Sequence, residues 1–128
     1  MTHTTMNAAI LLIEDNEQNR YLATFLLEKH GCTVVHTADG RAGIELAAAQ
    51  PFDLILLDIQ LPGMDGHAVA RAFRANASLN HVPIIAVTSY AMAGDREKAM
   101  AAGCNGYIEK PIDPDTFVAQ ISAFLPRP

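Results

Sequence analysis

The chain has 128 residues, half of them apolar and 18% charged, a length that suits one ordinary domain and a composition that argues for a packed core. Nine Lys and Arg against 14 Asp and Glu give a formal charge of −5, and with no basic stripe to follow a sugar-phosphate backbone, direct binding of DNA or RNA is not expected. The longest apolar run, Ala8 to Ile13, falls far short of the ~20 residues of a membrane span, and MTHTTMN lacks the Lys or Arg of a signal peptide, so a soluble, cytoplasmic protein is expected.

Short apolar runs alternate with stretches of helical period, the pattern of repeated βα units around a parallel sheet. Ala9 to Ile13 is the first predicted strand, running directly into Glu14 and Asp15. A helix starts near Asn16, an N-cap type, turns Leu22, Phe25 and Leu26 inward, and stops at Gly31, a residue suited to a left-handed cap. Thr33 to His36 is the second strand, followed by a helix from about Arg41 to Ala49 that ends before Pro51. The third strand, Leu54 to Asp58, leads into LPGMDG, where Pro62, Gly63 and Gly66 suit a tight turn, and then into a helix burying Val69, Ala72 and Phe73.

Ile84 to Thr88 reads as the fourth strand. The segment GDREKAMAAG after it is short, rich in Ala and charged residues and weakly amphipathic, so a loosely docked helix is expected. Gly106 to Glu109 is the fifth strand. In the last helix Asp113 is the expected cap, Pro114 fits the first turn, and Phe117, Val118, Ile121, Phe124 and Leu125 follow helical spacing until Pro126 and Pro128 end it. With no repeats, low-complexity tracts or linkers, residues 1–128 are read as one domain with a core of about 9–125.

Four of the five strands end on residues that phosphoryl chemistry uses: Glu14 and Asp15, Asp58, Thr88, and Lys110. The ligand crevice of an open parallel sheet lies at the carboxyl ends of its strands, so these side chains are expected to converge. Alone, Glu14 and Asp15 read equally well as the acidic start of a helix. Asp58 changes the weighing, because a carboxylate ending the buried run DLILL must meet water or a cation.

If the first and third strands are neighbours, Glu14, Asp15 and Asp58 form an acidic cluster that either holds a proton with a raised pKa or binds a metal. Hard oxygen donors without a nearby His or Cys point to Mg²⁺. Lys110 would be a second cation, aimed off the strand end by Pro111. As an exposed Lys it is expected to serve the phosphoryl group rather than the fold. Thr88 by itself is a good strand residue, yet its hydroxyl would lie where a phosphoryl oxygen on Asp58 needs a donor. The five His show no metal spacing, and Cys32 and Cys104 read as buried free thiols.

Together these residues resemble the receiver domain of two-component response regulators, over nearly the whole chain from Ile10 to Leu125. LLIEDNEQN, LILLDIQLPGMDG, PIIAVTSYAMAGD and GYIEKPI stand in family order at family spacing. EDNEQN, DIQLP and VTSYAMAGDREKAMAAGCNGYIEKPI are similar above all to single-domain regulators of the DivK type and to receivers attached to hybrid histidine kinases. The resemblance implies an α/β fold, a (βα)5 doubly wound parallel five-stranded sheet in the flavodoxin-like order 2-1-3-4-5.

It also implies that Asp58 is the phosphoacceptor, taking phosphate from a phosphohistidine of a histidine kinase or phosphotransfer protein. Asp15, Asp58 and the main-chain carbonyl of Gln60 would ligate Mg²⁺, with Glu14 reaching it through water, while Thr88 and Lys110 contact the phosphoryl group. Thr88 and Tyr107 would form the switch, coupling the site to a target-binding face made by the fourth helix, fifth strand and fifth helix. Gln60 and Tyr90 occupy positions that tune hydrolysis of the acyl phosphate in this family, and Glu14 replaces its more frequent Asp.

The implied role is a phosphoacceptor signalling protein that phosphorylates itself from a donor with Mg²⁺ and dephosphorylates slowly, either alone or as part of a hybrid kinase or multidomain regulator. A phosphatase with an aspartyl-phosphate intermediate is disfavoured because Gln60 stands where that class has its general acid. An acidic first strand-to-helix loop likewise disfavours a flavin phosphate.

Overall fold

The computed structural model describes residues 6–89 and 92–125; Tyr90, Pro126 and Pro128 lie outside them. Five strands, β1 (Ala9–Ile13), β2 (Thr33–Thr37), β3 (Leu54–Asp58), β4 (Ile84–Thr88) and β5 (Gly106–Glu109), form one sheet in the order β2-β1-β3-β4-β5. Every neighbouring pair is parallel. The helices are α1 (Glu17–Lys29), α2 (Gly40–Ala49), α3 (Gly66–Ala75), α4 (Asp95–Ala101) and α5 (Phe117–Ser122), with a 3-10 turn at Ala77–Leu79. This is the doubly wound, flavodoxin-like order that the resemblance implied.

Alternation along the strands divides the core in two. Ile10, Leu12, Leu54, Leu56, Ile85, Val87 and Ile108 pack with Leu26 and Leu27 of α1 and Phe117 and Ile121 of α5. Leu11, Ile13, Ile55, Leu57, Ile84 and Ala86 face the other way, against Ala47 of α2, Val69, Ala70 and Phe73 of α3, and Ala99 of α4. The central strands β3 and β4 are therefore buried at every position, whereas β2, at one edge, is half-buried or exposed throughout. Covering on both faces explains why the central strands read as unbroken apolar runs.

Capping residues set most helix starts. The side chains of Asn16, Asp39 and Asp65 accept the main-chain N–H of Asn19, Arg41 and His67 at 2.9, 3.1 and 2.9 Å, contacts of about 1 kcal/mol each. Gly31, just past α1, has a φ of +92°, the left-handed conformation expected there.

The structure corrects the phase of two helices. Phe25 does not turn inward: it is 51% exposed and stacks on Tyr21 at a centroid distance of 6.3 Å. Ala23, Leu26 and Leu27 carry the buried stripe of α1, and a 3.6-residue period puts position 25 outside it. On α3 the stripe is Gly66, Val69, Ala70 and Phe73, which leaves Ala72 half-buried. The last helix also begins later than expected. Asp113 caps a turn, its Oδ1 accepting the N–H of Asp115 at 2.9 Å, and α5 proper follows from Thr116 without a side-chain cap.

Helix α4 starts at Gly94 with no side-chain cap, and Ala99 is its one fully buried residue, in keeping with its weak amphipathic pattern. By contrast the turn after β3 is held firmly. Gln60–Leu61 pairs antiparallel with Met64–Asp65, and the Gly66 N–H donates to the Ile59 carbonyl at 3.2 Å. A Cβ on Gly66 would lie 2.5 Å from the Ile59 Cα and 2.6 Å from its carbonyl oxygen. Because the obstacle is backbone, Gly66→Ala is expected to cost about 1–3 kcal/mol, the range for overpacking, read as a lower urea midpoint at unchanged slope.

Candidate functional site

Strand register brings the site together. Ile13 pairs with Leu57, Asp58 with Val87, and Thr88 with Glu109, so the residues that end or follow β1, β3, β4 and β5 share one edge of the sheet. Glu14, Asp15 and Asp58 each offer a carboxylate oxygen within 4.8 Å of the others. Glu14 and Asp58 are both 3% exposed, while Asp15 opens to solvent. Among the described residues this is the one such cluster, and no His or Cys belongs to it.

Lys110 lies between the buried acids, its Nζ 2.7 Å from Glu14 Oε1 and 3.2 Å from Asp58 Oδ2. Its side chain is only 8% exposed, which overturns the expectation of a solvated Lys with little weight in the fold. Removing it would leave two buried carboxylates facing each other without a counter-charge, a costly arrangement. With Asp15 included, three carboxylates against one ammonium leave the cluster at a net −2. Further contacts fix the rim: Glu14 Oε2 accepts the Asn16 N–H at 3.1 Å, and Arg20 Nη1 donates to the Glu14 carbonyl at 3.0 Å.

The Asp58 carboxyl titrates above its ordinary value. Burial is the main cause, with the hydrogen bond and the charge of Glu14 adding to it, while the Gln60 N–H and Lys110 partly oppose the shift. The bond behind that opposition is 2.9 Å, from the Gln60 N–H to Asp58 Oδ1.

The resemblance implies for Gln60 only a main-chain carbonyl ligand and a kinetic effect, yet its side chain bridges two strand ends. Oε1 accepts the Ser89 N–H at 3.0 Å, and Nε2 donates to the Thr88 hydroxyl. Thr88 itself is 2% exposed. Tyr107 is half-buried, and its hydroxyl is enclosed without a hydrogen-bond partner among the described residues. A cavity of about 250 Å³ separates it from the turn after β3, with Gln60, Thr88, Met92 and Asp95 among its walls.

Residues 10–122 match the model of the response regulator receiver domain. The chain belongs to that family. As a receiver it is 39% identical over 120 residues to the polar-differentiation response regulator DivK of Brucella ovis, covering 94% of this chain and 98% of the relative. DivK of Brucella anthropi matches to the same extent. Among solved structures, the chemotaxis protein CheY4 of Vibrio cholerae superimposes with a TM-score of 0.88 at 27% identity, over 92% of this chain and 98% of that one. The receiver domain of the Pseudomonas aeruginosa sensor histidine kinase PA1611, whose structure has a magnesium ion coordinated in the active site cleft, is 38% identical with a TM-score of 0.81, over 90% and 93% of the two chains. The chain is thus a signalling protein of two-component regulatory systems, of the DivK kind.

Burial of the acids in this receiver has a consequence for stability. With a raised pKa, Asp58 favours the folded state when protonated; that contribution is whole below about pH 4 and is lost as pH rises through the raised value. Asp58→Asn, which carries no charge, is therefore expected to melt higher than the wild type at pH 7 in chelator. The gain should narrow toward pH 4. Thermal unfolding at both pH values checks it, and a variant melting below the wild type at pH 7 would contradict the assignment of strain to this carboxylate.

Proposed function

We propose that Asp58 accepts a phosphoryl group from a phosphohistidine of a histidine kinase or phosphotransfer protein, in the cytoplasm, and that the phosphorylated receiver acts by binding a target protein. The observation that carries this reading is the convergence on Asp58 of a buried ammonium at 3.2 Å and two further carboxylates. An oxygen of the ionised Asp58 attacks phosphorus, the N–P bond breaks, and the imidazole leaves with the electron pair. Lys110 and the Asp58–Gln60 contact help keep the acceptor ionised despite its burial. The new acyl phosphate then lies beside the Lys110 ammonium, with the Thr88 hydroxyl as a further donor.

The donor set suits a hard dication: three carboxylates close together, net negative, and no soft ligand. Asp15, Asp58 and the Gln60 carbonyl would hold Mg²⁺, with Glu14 acting through water. When bound, Mg²⁺ neutralises phosphoryl charge in the transfer. Loss of the phosphoryl group to water is slow in this reading, because the Gln60 amide is neither a base that could deprotonate an attacking water nor an acid.

For output, Thr88 and Tyr107 form the switch, and the target docks on the face of α4, β5 and α5. Residues 1–128 would act as one stand-alone receiver, as supported by DivK relatives matched over 98% of their length. The likeness to the PA1611 receiver supports a second reading, a receiver belonging to a hybrid kinase or multidomain regulator.

Incubation with a small phosphodonor and Mg²⁺, followed by reductive trapping and mass spectrometry, is expected to label Asp58 alone. Labelling of Asp58→Asn at the wild-type level would end the proposal. Asp15→Asn is expected to lose Mg²⁺ affinity about tenfold or more, with most of the phosphorylation, and wild-type affinity measured by calorimetry would take Asp15 out of the metal site. That affinity should weaken at low pH as protons compete for the carboxylates.

A further inference from the structure

Gln60 contacts both Asp58 and the switch residue Thr88. Its main-chain N–H engages Asp58 Oδ1, while its side-chain amide is committed to the end of β4, with Oε1 on the Ser89 N–H and Nε2 on the Thr88 hydroxyl. These bonds reach across 28 and 29 residues of sequence. The amide also lines the cavity shared by Thr88 and Tyr107. A hydroxyl has one proton and two lone pairs, so a donor on Thr88 Oγ1 restricts the directions in which it can turn. For Thr88 to move onto a phosphoryl oxygen at Asp58, its bond from Gln60 must lengthen or break.

We propose that Gln60 is a positioning residue, a latch that holds Thr88 and Ser89 in the arrangement of the unphosphorylated receiver. The inference rests on the phosphoacceptor reading above. The latch stabilises the resting arrangement by the net strength of its bonds, and the same free energy is subtracted from the apparent affinity for any group that needs Thr88 elsewhere. Coupling of this kind is reciprocal, so phosphorylation must weaken the Gln60 contacts as much as those contacts oppose phosphorylation. Gln60 therefore raises the threshold for switching without touching the reacting oxygen through its side chain.

The test uses beryllofluoride, a phosphoryl mimic, with Mg²⁺ and the full chain. Gln60→Met keeps an unbranched side chain of similar length and removes both the donor and the acceptor. It is expected to bind beryllofluoride about fivefold more tightly, the scale of one net hydrogen bond. In a Thr88→Val background the gain should shrink, because the bond removed is already absent there. Ser89 is exposed, and its amide should exchange with solvent at least about fivefold faster in the resting variant once Gln60 Oε1 is gone.

Equal or weaker beryllofluoride binding by Gln60→Met overturns the latch, as does a gain that is undiminished without the Thr88 hydroxyl. Gln60→Ala, read in the same way, replaces the Met variant if that one does not fold. Failure of the underlying reading looks different: beryllofluoride would then bind Asp58→Asn as well as it binds the wild type.

Discussion

Two carboxylates, Glu14 and Asp58, are buried at the ends of adjacent strands and share a single ammonium. Buried charge is tolerated only when it is paired, so Lys110 must reach the same point from the far side of the sheet. That demand fixes the relative register of β1, β3, β4 and β5, because a one-residue slip would turn each terminal side chain to the other face. The pairing is incomplete, since Asp15 joins the cluster and leaves it net negative. Burial is what chiefly raises the Asp58 pKa, with Glu14 adding to it, and the negative charge left uncompensated makes the site attractive to a dication.

Around this point the molecule is stiff on one side and soft on the other. β3 and β4 are sealed on both faces, and the turn after Asp58 is closed by the hairpin and by the contact of Gly66 with Ile59. Helix α4 has neither a side-chain cap nor more than one fully buried residue. Elements with few buried contacts open at low free energy, and they are the ones that can exchange between arrangements. In the proposed function, a firmly held acceptor beside a weakly held helix would keep the chemistry accurate while letting the output move.

Much of this was legible in the sequence, for identifiable reasons. Strands covered on both faces read as unbroken apolar runs, and Asn16 and Gly31 mark the ends of α1 by conformational chemistry that is local. The acids and Lys110 were found because they end such runs. The burial of Lys110 was not legible, because it depends on which strands become neighbours. The Gln60 bridge was hidden for the same reason, its partners lying 28 and 29 residues away. Phe25 was misplaced because an aromatic within a helical pattern satisfies more than one phase, and only packing against the sheet chose Ala23, Leu26 and Leu27.

The two ends of α4 differ in a way that bears on how a signal leaves the site. Beyond its C-terminal end the chain is clamped by Arg74 of α3, whose Nε donates to the Gly103 carbonyl at 2.9 Å and whose Nη2 donates to Asn105 Oδ1 at 2.7 Å. The same guanidinium bonds the carbonyls of Leu79 and Val82, so the segments after α3 and after α4 are tied to one half-buried cation. The N-terminal end, at Gly94, has no side-chain cap, and Asp95 beside it lines the cavity shared by Gln60, Thr88 and Tyr107. In the proposed switch, a displacement of Thr88 would therefore meet α4 at its uncapped end, while the Arg74 clamp holds the segment beyond the opposite end. Under that constraint α4 would pivot rather than detach, and the face it shares with β5 and α5 would change shape without losing the core contact of Ala99.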